Sequence, residues 1–453
     1  MSTNIDFIGG NTKRCLMAMA LPMLAAMFLN MMYNLVDSLW IGNLLGETAY
    51  AALTNSTPII LILTSVAMGA TNGVSILLAQ AIGAKDARRT ESLIATSFWI
   101  AVIFSVSVTV VLELLLPGVL YALNTPPETY DMAYSYLSIY VLGYLAVYLY
   151  CYFAAVLRSF GNSMFQAIAM LAATILNAVL DPIFIRLIGF NGAAIATLLS
   201  ETICLLFMLV YLKKKKWFTF QIFEFNPSDI LLLIQKAVPS IVQQSIPAIS
   251  TTFLTALVST YGVTAIAAYG VTGKLEILVF YPAMALNMVL TTIVGQCAGG
   301  KRYDRAEDYV KCALRYGCVL LVVLSALVIG FAGQLSGLFV KSSDVAAIVE
   351  TYFRIVSVGY ILNTVTNCCL GLLNGMGNPA KSMGLMLFYY IAVRIPLAYL
   401  FSHLGFGLNG IWCAVWISHI AASAAAVLAG RYLLRRQASL SAGPRSGNSC
   451  GEE

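Results

Sequence analysis

Charged residues are scarce in this sequence: Asp, Glu, Lys and Arg make up only 10% of its 453 residues, and histidine occurs twice. With only His403 and His419 available, we do not expect an enzyme, because imidazoles carry much of the acid–base chemistry of active sites. The cysteines are scattered without a Cys-x-x-Cys pair, which argues against a zinc site or a disulfide framework. No phosphate-cradling loop is present, so neither ATP-driven chemistry nor any cofactor is expected.

Apolar residues are abundant instead, at 60% of the chain. They form runs of about 20 residues or more, long enough to cross the roughly 30 Å hydrocarbon core of a bilayer. Gly, Pro and Asn interrupt the runs, whereas a β-barrel would show alternating polarity. The sequence therefore predicts an all-α integral membrane protein. The twelve predicted transmembrane helices, called spans 1 to 12, cover residues 14–40, 51–80, 93–121, 131–157, 164–188, 191–212, 232–260, 265–298, 313–340, 348–373, 382–404 and 408–430.

Basic residues mark one side of the predicted spans. Lys13 and Arg14 precede span 1, and basic groups follow spans 2, 6, 8 and 12, whereas the loops after spans 1, 3, 7 and 11 carry no Lys or Arg. Under the positive-inside rule both termini are cytoplasmic, in a multi-pass protein of the cell inner (plasma) membrane. The net charge of +6 then reflects topology and does not predict nucleic-acid binding.

The two halves of the chain repeat one another at an offset of about 216 residues. The element Gln-x-x-Gly-x-Lys at Gln80 returns at Gln296, and Gly161-Asn162 returns as Gly377-Asn378. Each half has an even number of spans, which predicts two six-helix bundles related by a pseudo-two-fold axis along the membrane normal. The predicted parts are a cytoplasmic N-terminus (1–13), an N-lobe (14–212), a cytoplasmic linker (213–231), a C-lobe (232–430) and a disordered cytoplasmic tail (431–453).

Two aspartates interrupt apolar spans in the first half only, since Phe253 stands opposite Asp37 and Leu397 opposite Asp181. A carboxylate at mid-bilayer costs about 2.5–3.5 kcal/mol, so such residues are few and usually functional. Asn177 lies one turn from Asp181 and offers both a donor and an acceptor. We predict that Asp37, Asn177 and Asp181 couple transport to H⁺ or Na⁺; no other metal is expected. The alternative is that both acids only terminate helices near an interface.

Polar residues at helical spacing extend this region. Span 1 carries Asn30, Tyr33, Asn34 and Asp37 at spacings that share one helix face, and span 5 carries a second polar stripe. Tyrosines four residues apart in span 4 could offer ring faces to an organic cation, or could only anchor the helix. The residues predicted to line a substrate cavity are Asn30, Tyr33, Asn34, Tyr140, Thr174 and Thr197.

Pro22 lies in span 1, about four turns before Asp37, and removes a backbone hydrogen bond there. A kink that responds to protonation of Asp37 would link the ion site to the shape of the cavity. A fixed kink is the other interpretation, and Pro239, at the corresponding place of span 7 with no acid after it, favours an architectural role.

With these residues the chain resembles the multidrug and toxic compound extrusion (MATE) family of secondary transporters over nearly its whole length. The resemblance rests on residues 33–37 with Gly42, and on residues 158–162, 176–185 and 192–197, in this order. One branch of that family uses N-lobe acids, which fall here on Asp37 and Asp181, with Asn177 beside them. Residues 242–245 and 363–367 lack the carboxylates that another branch places in helices 7 and 10. The departure favours the DinF-like branch.

The resemblance implies a monomer in contact with membrane lipids that exports small organic, often cationic amphipathic substrates by alternating access. Antiport against H⁺ or Na⁺ would drive the export. The alternative function is a lipid-linked oligosaccharide flippase of the same two-bundle architecture, which should carry a strongly cationic central cavity. Arg354 and Arg394 are the chief basic residues within the spans, and two are few for that role.

Overall fold

The computed structural model describes residues 5–123, 125–215, 226–337 and 342–441, and its regular structure in these ranges is entirely helical. A π-helical segment, Leu387–Arg394, joins α12 to α13 without a break. The helices are α1 (Thr12–Leu45), α2 (Glu47–Gly83), α3 (Ala87–Ala122), α4 (Pro127–Leu142), α5 (Tyr144–Ser159), α6 (Ser163–Ile188), α7 (Asn191–Lys215), α8 (Pro227–Ser259), α9 (Val263–Gly299), α10 (Tyr303–Ser336), α11 (Ser343–Gly375), α12 (Pro379–Met386), α13 (Ile395–His403) and α14 (Gly407–Ser441).

The predicted membrane architecture is confirmed. Eleven helical stretches of the described residues are long and apolar enough to cross a bilayer, and α4 with α5 forms a twelfth span. That span was predicted as one straight helix over 131–157, but it bends by 49° between Leu142 and Tyr144. The bend is at Gly143, where a Cβ atom would lie 2.3 Å from the side chain of Leu198. The glycine therefore gives the Leu198 side chain of α7 room beside the bend; a larger residue would force that side chain to shift.

Several predicted boundaries differ from the helices observed. Both ends of the linker predicted at 213–231 are helical, because α7 runs to Lys215 and α8 begins at Pro227. Residues 216–225 lie outside the described residues. The start of α8 has a local cause, since the Asn226 side chain caps the helix and proline suits its first turn. The tail predicted as disordered from Arg431 is helical as far as Ser441, because α14 simply continues. The predicted end of span 9 at 340 falls outside the described residues.

The backbone repeats as the sequence does. Residues in the left-handed region recur at the same offset: Lys85 (φ 58°) and Lys301 (φ 56°) are the non-glycine pair. Three glycine pairs follow the same spacing, namely Gly46 with Gly262, Gly161 with Gly377, and Gly189 with Gly405. Both lysines end the turn that follows a long helix, so the two halves leave their second helix through the same backbone geometry.

The two bundles, α1–α7 and α8–α14, meet along α2, α8 and α9. Small residues make the contact close: a Cβ atom at Gly73 would lie 2.6 Å from the backbone of Ala237. The closest junction lies at the end of the molecule that carries the Lys85 and Lys301 turns, called the basic end below. Here the Gln80 side chain donates to the carbonyl of Gly375 at 2.8 Å, and that of Gln296 donates to the carbonyl of Ser159 at 2.7 Å.

These two hydrogen bonds are related by the repeat, because Gln296 and Gly375 lie 216 residues after Gln80 and Ser159. An ion pair adds to them, with Arg89 of the N-lobe 2.6 Å from the buried Asp229 of the C-lobe. Ser92 donates to the other oxygen of Asp229 at 2.9 Å. The contacts close the space between the lobes at the basic end.

The chain before α1 contributes to this closure. In the segment 5–11, called the N-terminal plug below, Phe7 is 1% exposed and its carbonyl accepts a hydrogen bond from Tyr309 of α10 at 3.1 Å. Arg305 donates to the carbonyl of Gly10 and to the side chain of Thr12. Leu433, near the end of α14, belongs to the same apolar cluster. Both ends of the described chain therefore meet at the basic end.

Candidate functional site

The predicted ion-coupling residues come together inside the N-lobe. Asp37 on α1 is 9% exposed, and Asn177 and Asp181 on α6 are fully buried. The two helices pack on one another, and the Thr174 hydroxyl of α6 donates to the carbonyl of Leu29 of α1 at 3.4 Å. One turn of helix separates Asn177 from Asp181, and the amide nitrogen of the first donates to a carboxyl oxygen of the second at 2.9 Å. Asp37 lies within α1 and Asp181 within α6, so neither acid terminates its helix.

Three oxygen atoms of this cluster are buried without a hydrogen-bond partner among the described residues: Asp37 Oδ1, Asn177 Oδ1 and Asp181 Oδ2. Buried polar atoms in folded proteins are nearly always paired, and an unpaired carboxylate in an apolar interior is especially costly. A proton on a carboxyl group or a cation among the three oxygens would remove that cost. Among the described residues no group of three His, Cys, Asp or Glu side chains could hold a metal ion, so a cation here would also need amide or backbone oxygens.

A hydroxyl network connects this cluster to α7. The Tyr33 hydroxyl lies 3.0 Å from the Ser200 hydroxyl and 3.4 Å from the backbone carbonyl of Thr197. Asn177 reaches the Thr197 side chain at 3.5 Å. Of the predicted cavity residues, Tyr33, Thr174 and Thr197 thus lie beside the ion-coupling residues, and all three are buried.

Asn30 and Asn34 occupy a different position from Tyr33 and Asp37. Both asparagines are exposed, and Asn34 donates to the backbone carbonyl of Asn30 at 2.8 Å. At about 100° per residue the four side chains spread over an arc of about 100°, which is wider than the surface that α6 and α7 cover. The stripe therefore spans two environments: Tyr33 and Asp37 are buried in the lobe, whereas Asn30 and Asn34 on its other edge are exposed.

Tyr140 is buried in the main core of the N-lobe, with 4% of its surface exposed. Its neighbours in the tyrosine series hold helices together: Tyr144 donates to the carbonyl of Leu63 and Tyr152 to that of Ile94. The break at Gly143 also divides the series between α4 and α5. In this conformation the series anchors helices and does not offer a continuous surface to a ligand.

Pro22 lies within an unbroken α1, in the part of the helix that contacts the C-lobe. The first turns of α1, from Cys15 to Met27, belong to an apolar cluster formed mainly by α9, α10 and α11 of the C-lobe. The part that carries Asp37 packs on α6 in the N-lobe. Pro22 and Asp37 are 15 residues apart, or about 22 Å along a helix. One helix therefore touches both lobes and carries both residues.

Sequence reasoning gave too little weight to three other charged residues inside the lobes, namely Glu201, Glu276 and Arg394. Glu201 on α7 has a buried carboxyl oxygen without a partner among the described residues and follows Ser200, which bonds Tyr33. In the C-lobe, Glu276 and Arg394 line a cavity of about 300 Å³. The sequence repeat could have identified Glu276 and Arg394, because the corresponding residues of the first half, Ile60 and Ala178, are uncharged. The comparison of halves that singled out Asp37 and Asp181 would have found this pair as well.

Comparison with known proteins agrees with this architecture. The MatE family model matches the chain twice, over residues 22–183 and 239–400, one match in each bundle. The chain therefore belongs to the MatE family and is a MATE family transporter. The two matches start at Pro22 and Pro239, the prolines that the sequence repeat places at corresponding positions.

Similar proteins cover almost the entire chain. The probable multidrug resistance protein YpnP of Bacillus subtilis is 27% identical over 94% of this chain and 96% of its own length. The FAD transporter of Shewanella oneidensis is 25% identical over 90% of this chain and 92% of its own. A solved structure described as the outward-facing conformation of a multidrug resistance MATE family transporter has a TM-score of 0.91 at 25% identity, covering 97% of this chain and 100% of that one.

Proposed function

We propose that this protein is a multidrug efflux antiporter that exports organic, amphipathic cationic compounds by alternating access, driven by H⁺ or Na⁺. The observation that carries the proposal is the buried cluster of Asp37, Asn177 and Asp181, with three oxygens that lack a partner among the described residues. The names of the relatives support the drug-export part of the proposal, since YpnP is described as a probable multidrug resistance protein. We further propose that the transporter acts as a monomer.

In the proposed cycle, the ion binds where the carboxyl groups already lack partners. Removing the ion leaves two uncompensated acids within an apolar lobe, which destabilises the packing of α1 on α6. Because α1 also packs on the C-lobe through its first turns, a change in its course at Pro22 alters the junction between the lobes. The ion site and the closure at the basic end are thereby coupled through one helix.

We propose that the basic end faces the cytoplasm of a bacterial-type inner (plasma) membrane, which places both termini there. The basic residues of the Lys85 and Lys301 turns support this orientation through the positive-inside rule. The conformation described is then closed towards the cytoplasm, as a transporter must be when it releases cargo outside.

The flippase alternative fits the structure less well. A pyrophosphate-linked lipid carries several negative charges and needs a strongly cationic cavity. Among the described residues that line the 300 Å³ cavity, Arg394 is the one basic side chain, and the acidic Glu276 shares the cavity with it. The formal charges of these two groups cancel.

The test is ion-driven export in proteoliposomes, with a fluorescent organic cation as cargo and with pH and Na⁺ gradients imposed separately. We expect the wild type to export under one of the two gradients, and Asp37→Asn and Asp181→Asn each to lose that export. Asp131→Asn, which removes an exposed acid of α4, is the matched control and should transport normally.

Two results would overturn the proposal. Unchanged gradient-driven export in both mutants would eliminate the N-lobe coupling site. Absence of export by the wild type under either gradient would eliminate the antiport mechanism and bring the flippase forward for assay with labelled lipid-linked sugars.

A further inference from the structure

The C-lobe cavity contains a half-buried acid, Glu276, and a buried base, Arg394, that are not paired with one another. Glu276 accepts hydrogen bonds from the hydroxyls of Tyr352 and Tyr360, both to the same carboxyl oxygen. The Glu276 side chain also lines the cavity. No ion pair between Glu276 and Arg394 is present among the described residues, so each charge is held by uncharged neighbours.

Arg394 is fixed by the π-helical segment. It lies five residues after Tyr389, which is the i→i+5 spacing of a π-helix, and donates to the Tyr389 hydroxyl at 2.8 Å and to the Ser418 hydroxyl at 2.9 Å. Its guanidinium stacks over the rings of Tyr389 and Tyr390 at 4.8 and 4.4 Å from their centroids. The group is 6% exposed and remains charged at any physiological pH. A buried cation held only by neutral groups still lacks a counter-charge.

The cavity beside these two groups is large enough for an aromatic compound. Its volume of about 300 Å³ lies at the lower end of the range for drug-sized ligands. Planar ligands stack well on aromatic side chains, which form much of the wall. The aromatic lining residues are Tyr269, Phe280, Tyr281, Tyr352 and Tyr390.

We propose that this cavity binds aromatic zwitterions, with the cationic group of the ligand at Glu276 and its carboxylate at Arg394. A ligand with a cation alone would sit near the Arg394 charge without compensating it, and a ligand with an anion alone would meet Glu276. Each unpaired charge disfavours the wrong ligand, so the pair selects for both groups together. The site is separate from Asp37 and Asp181, which lie in the other lobe.

Three xanthene dyes of similar size test the charge rule by fluorescence polarisation on the full-length protein in nanodiscs. They are the rhodamine with a free benzoate, its methyl ester, which is only cationic, and fluorescein, which is only anionic. We expect the zwitterion to bind wild type about tenfold more tightly than either of the others, the effect of one charge-assisted hydrogen bond. Arg394→Gln should remove the preference over the ester, and Glu276→Gln should improve fluorescein binding.

Controls separate a charge effect from a loss of folding. Glu350 and Arg354 form an exposed ion pair on α11, so Glu350→Gln and Arg354→Gln remove the same charges elsewhere and should bind all dyes as wild type. If Arg394→Gln does not yield folded protein, Arg394→Lys keeps the charge and should keep the preference for the zwitterion. Equal binding of the three dyes to wild type, or a parallel loss of all three in Arg394→Gln and Glu276→Gln, would overturn the inference.

The inference goes beyond the proposed function, because a zwitterion-selective cavity in the C-lobe does not require its ligand to be the exported cation. Binding is measured at equilibrium without a gradient, and Asp131→Asn, which removes the exposed acid of α4, should bind the dyes as wild type. Charge-selective binding without ion-driven export would therefore refute the proposed function and leave the cavity assignment intact. Ion-driven export without charge-selective binding would overturn the cavity assignment and leave the proposed function intact.

Discussion

The paired hydrogen bonds of the Gln80 and Gln296 side chains at the basic end allow a quantitative prediction about alternating access. Gln296 is 3% exposed, so replacing it with alanine leaves the carbonyl of Ser159 without a donor and shielded from water. Such an orphaned acceptor costs about 1–3 kcal/mol. Gln80 is only partly buried, and water can replace its bond to Gly375, so its loss should cost about 0.5–1.5 kcal/mol.

Both bonds break when the lobes separate at the basic end, so their losses add in that equilibrium. The double variant Gln80→Ala/Gln296→Ala should shift the ratio of open to closed basic ends by about 3 kcal/mol, or on the order of a hundredfold. Gln296→Ala alone should shift it more than Gln80→Ala alone, despite the pseudo-symmetry of the pair.

The assay is a distance measurement between the lobes by electron resonance. Nitroxide labels on non-canonical amino acids at Arg88 and Asp304, equivalent exposed positions of the two lobes, leave the native cysteines in place. The double variant should gain a population at longer distance. Gln334→Ala, an exposed glutamine on α10, should behave as wild type. An unchanged distance distribution in the double variant would show that these bonds do not hold the lobes together.

Three further predictions concern stability and the ion site. Phe7→Ala should lower the free energy of unfolding by about 3–5 kcal/mol if the N-terminal plug unfolds with the core, because the ring is almost fully buried. Gly359→Ala should lower it by about 1–3 kcal/mol, since the new Cβ atom would lie 2.6 Å from the His419 ring, whereas Gly330→Ala, with open space around it, should raise it by up to about 1 kcal/mol. Asn177→Ala should reduce ion-driven export at unchanged expression, because the carboxyl beside it loses its donor.

Each of these predictions can fail in a specific way. Thermal unfolding of Phe7→Ala at the wild-type temperature would mean that the N-terminal plug is not part of the cooperative unit. Equal unfolding temperatures for Gly359→Ala and Gly330→Ala would contradict the close packing at His419. Normal ion-driven export by Asn177→Ala would remove that residue from the coupling site.

The membrane architecture could be predicted from the sequence because the features that specify it, apolar run length and the internal repeat, are local or periodic. The length of an apolar run fixes a span regardless of its neighbours, and the repeat fixes two bundles. The same comparison of halves identified Asp37 and Asp181 as residues of one lobe only. Boundaries were less certain, since α14 continues as a helix through Arg431 and Arg435, where the apolar run has already ended.

Three features depended on packing between distant parts of the chain. The spacing of the polar residues in span 1 predicted one polar helix face. Only the packing of α6 and α7 against that face decided that Tyr33 and Asp37 are buried while Asn30 and Asn34 are exposed. The closure of the basic end joins residues more than a hundred positions apart, which no local pattern specifies. Glu276 and Arg394 are likewise far apart in sequence and share a cavity only because α9 and the π-helical segment face one another. Hydrophobic run length and repetition thus determined the scaffold from sequence alone, whereas the three-dimensional packing of the helices decided which polar groups share a site.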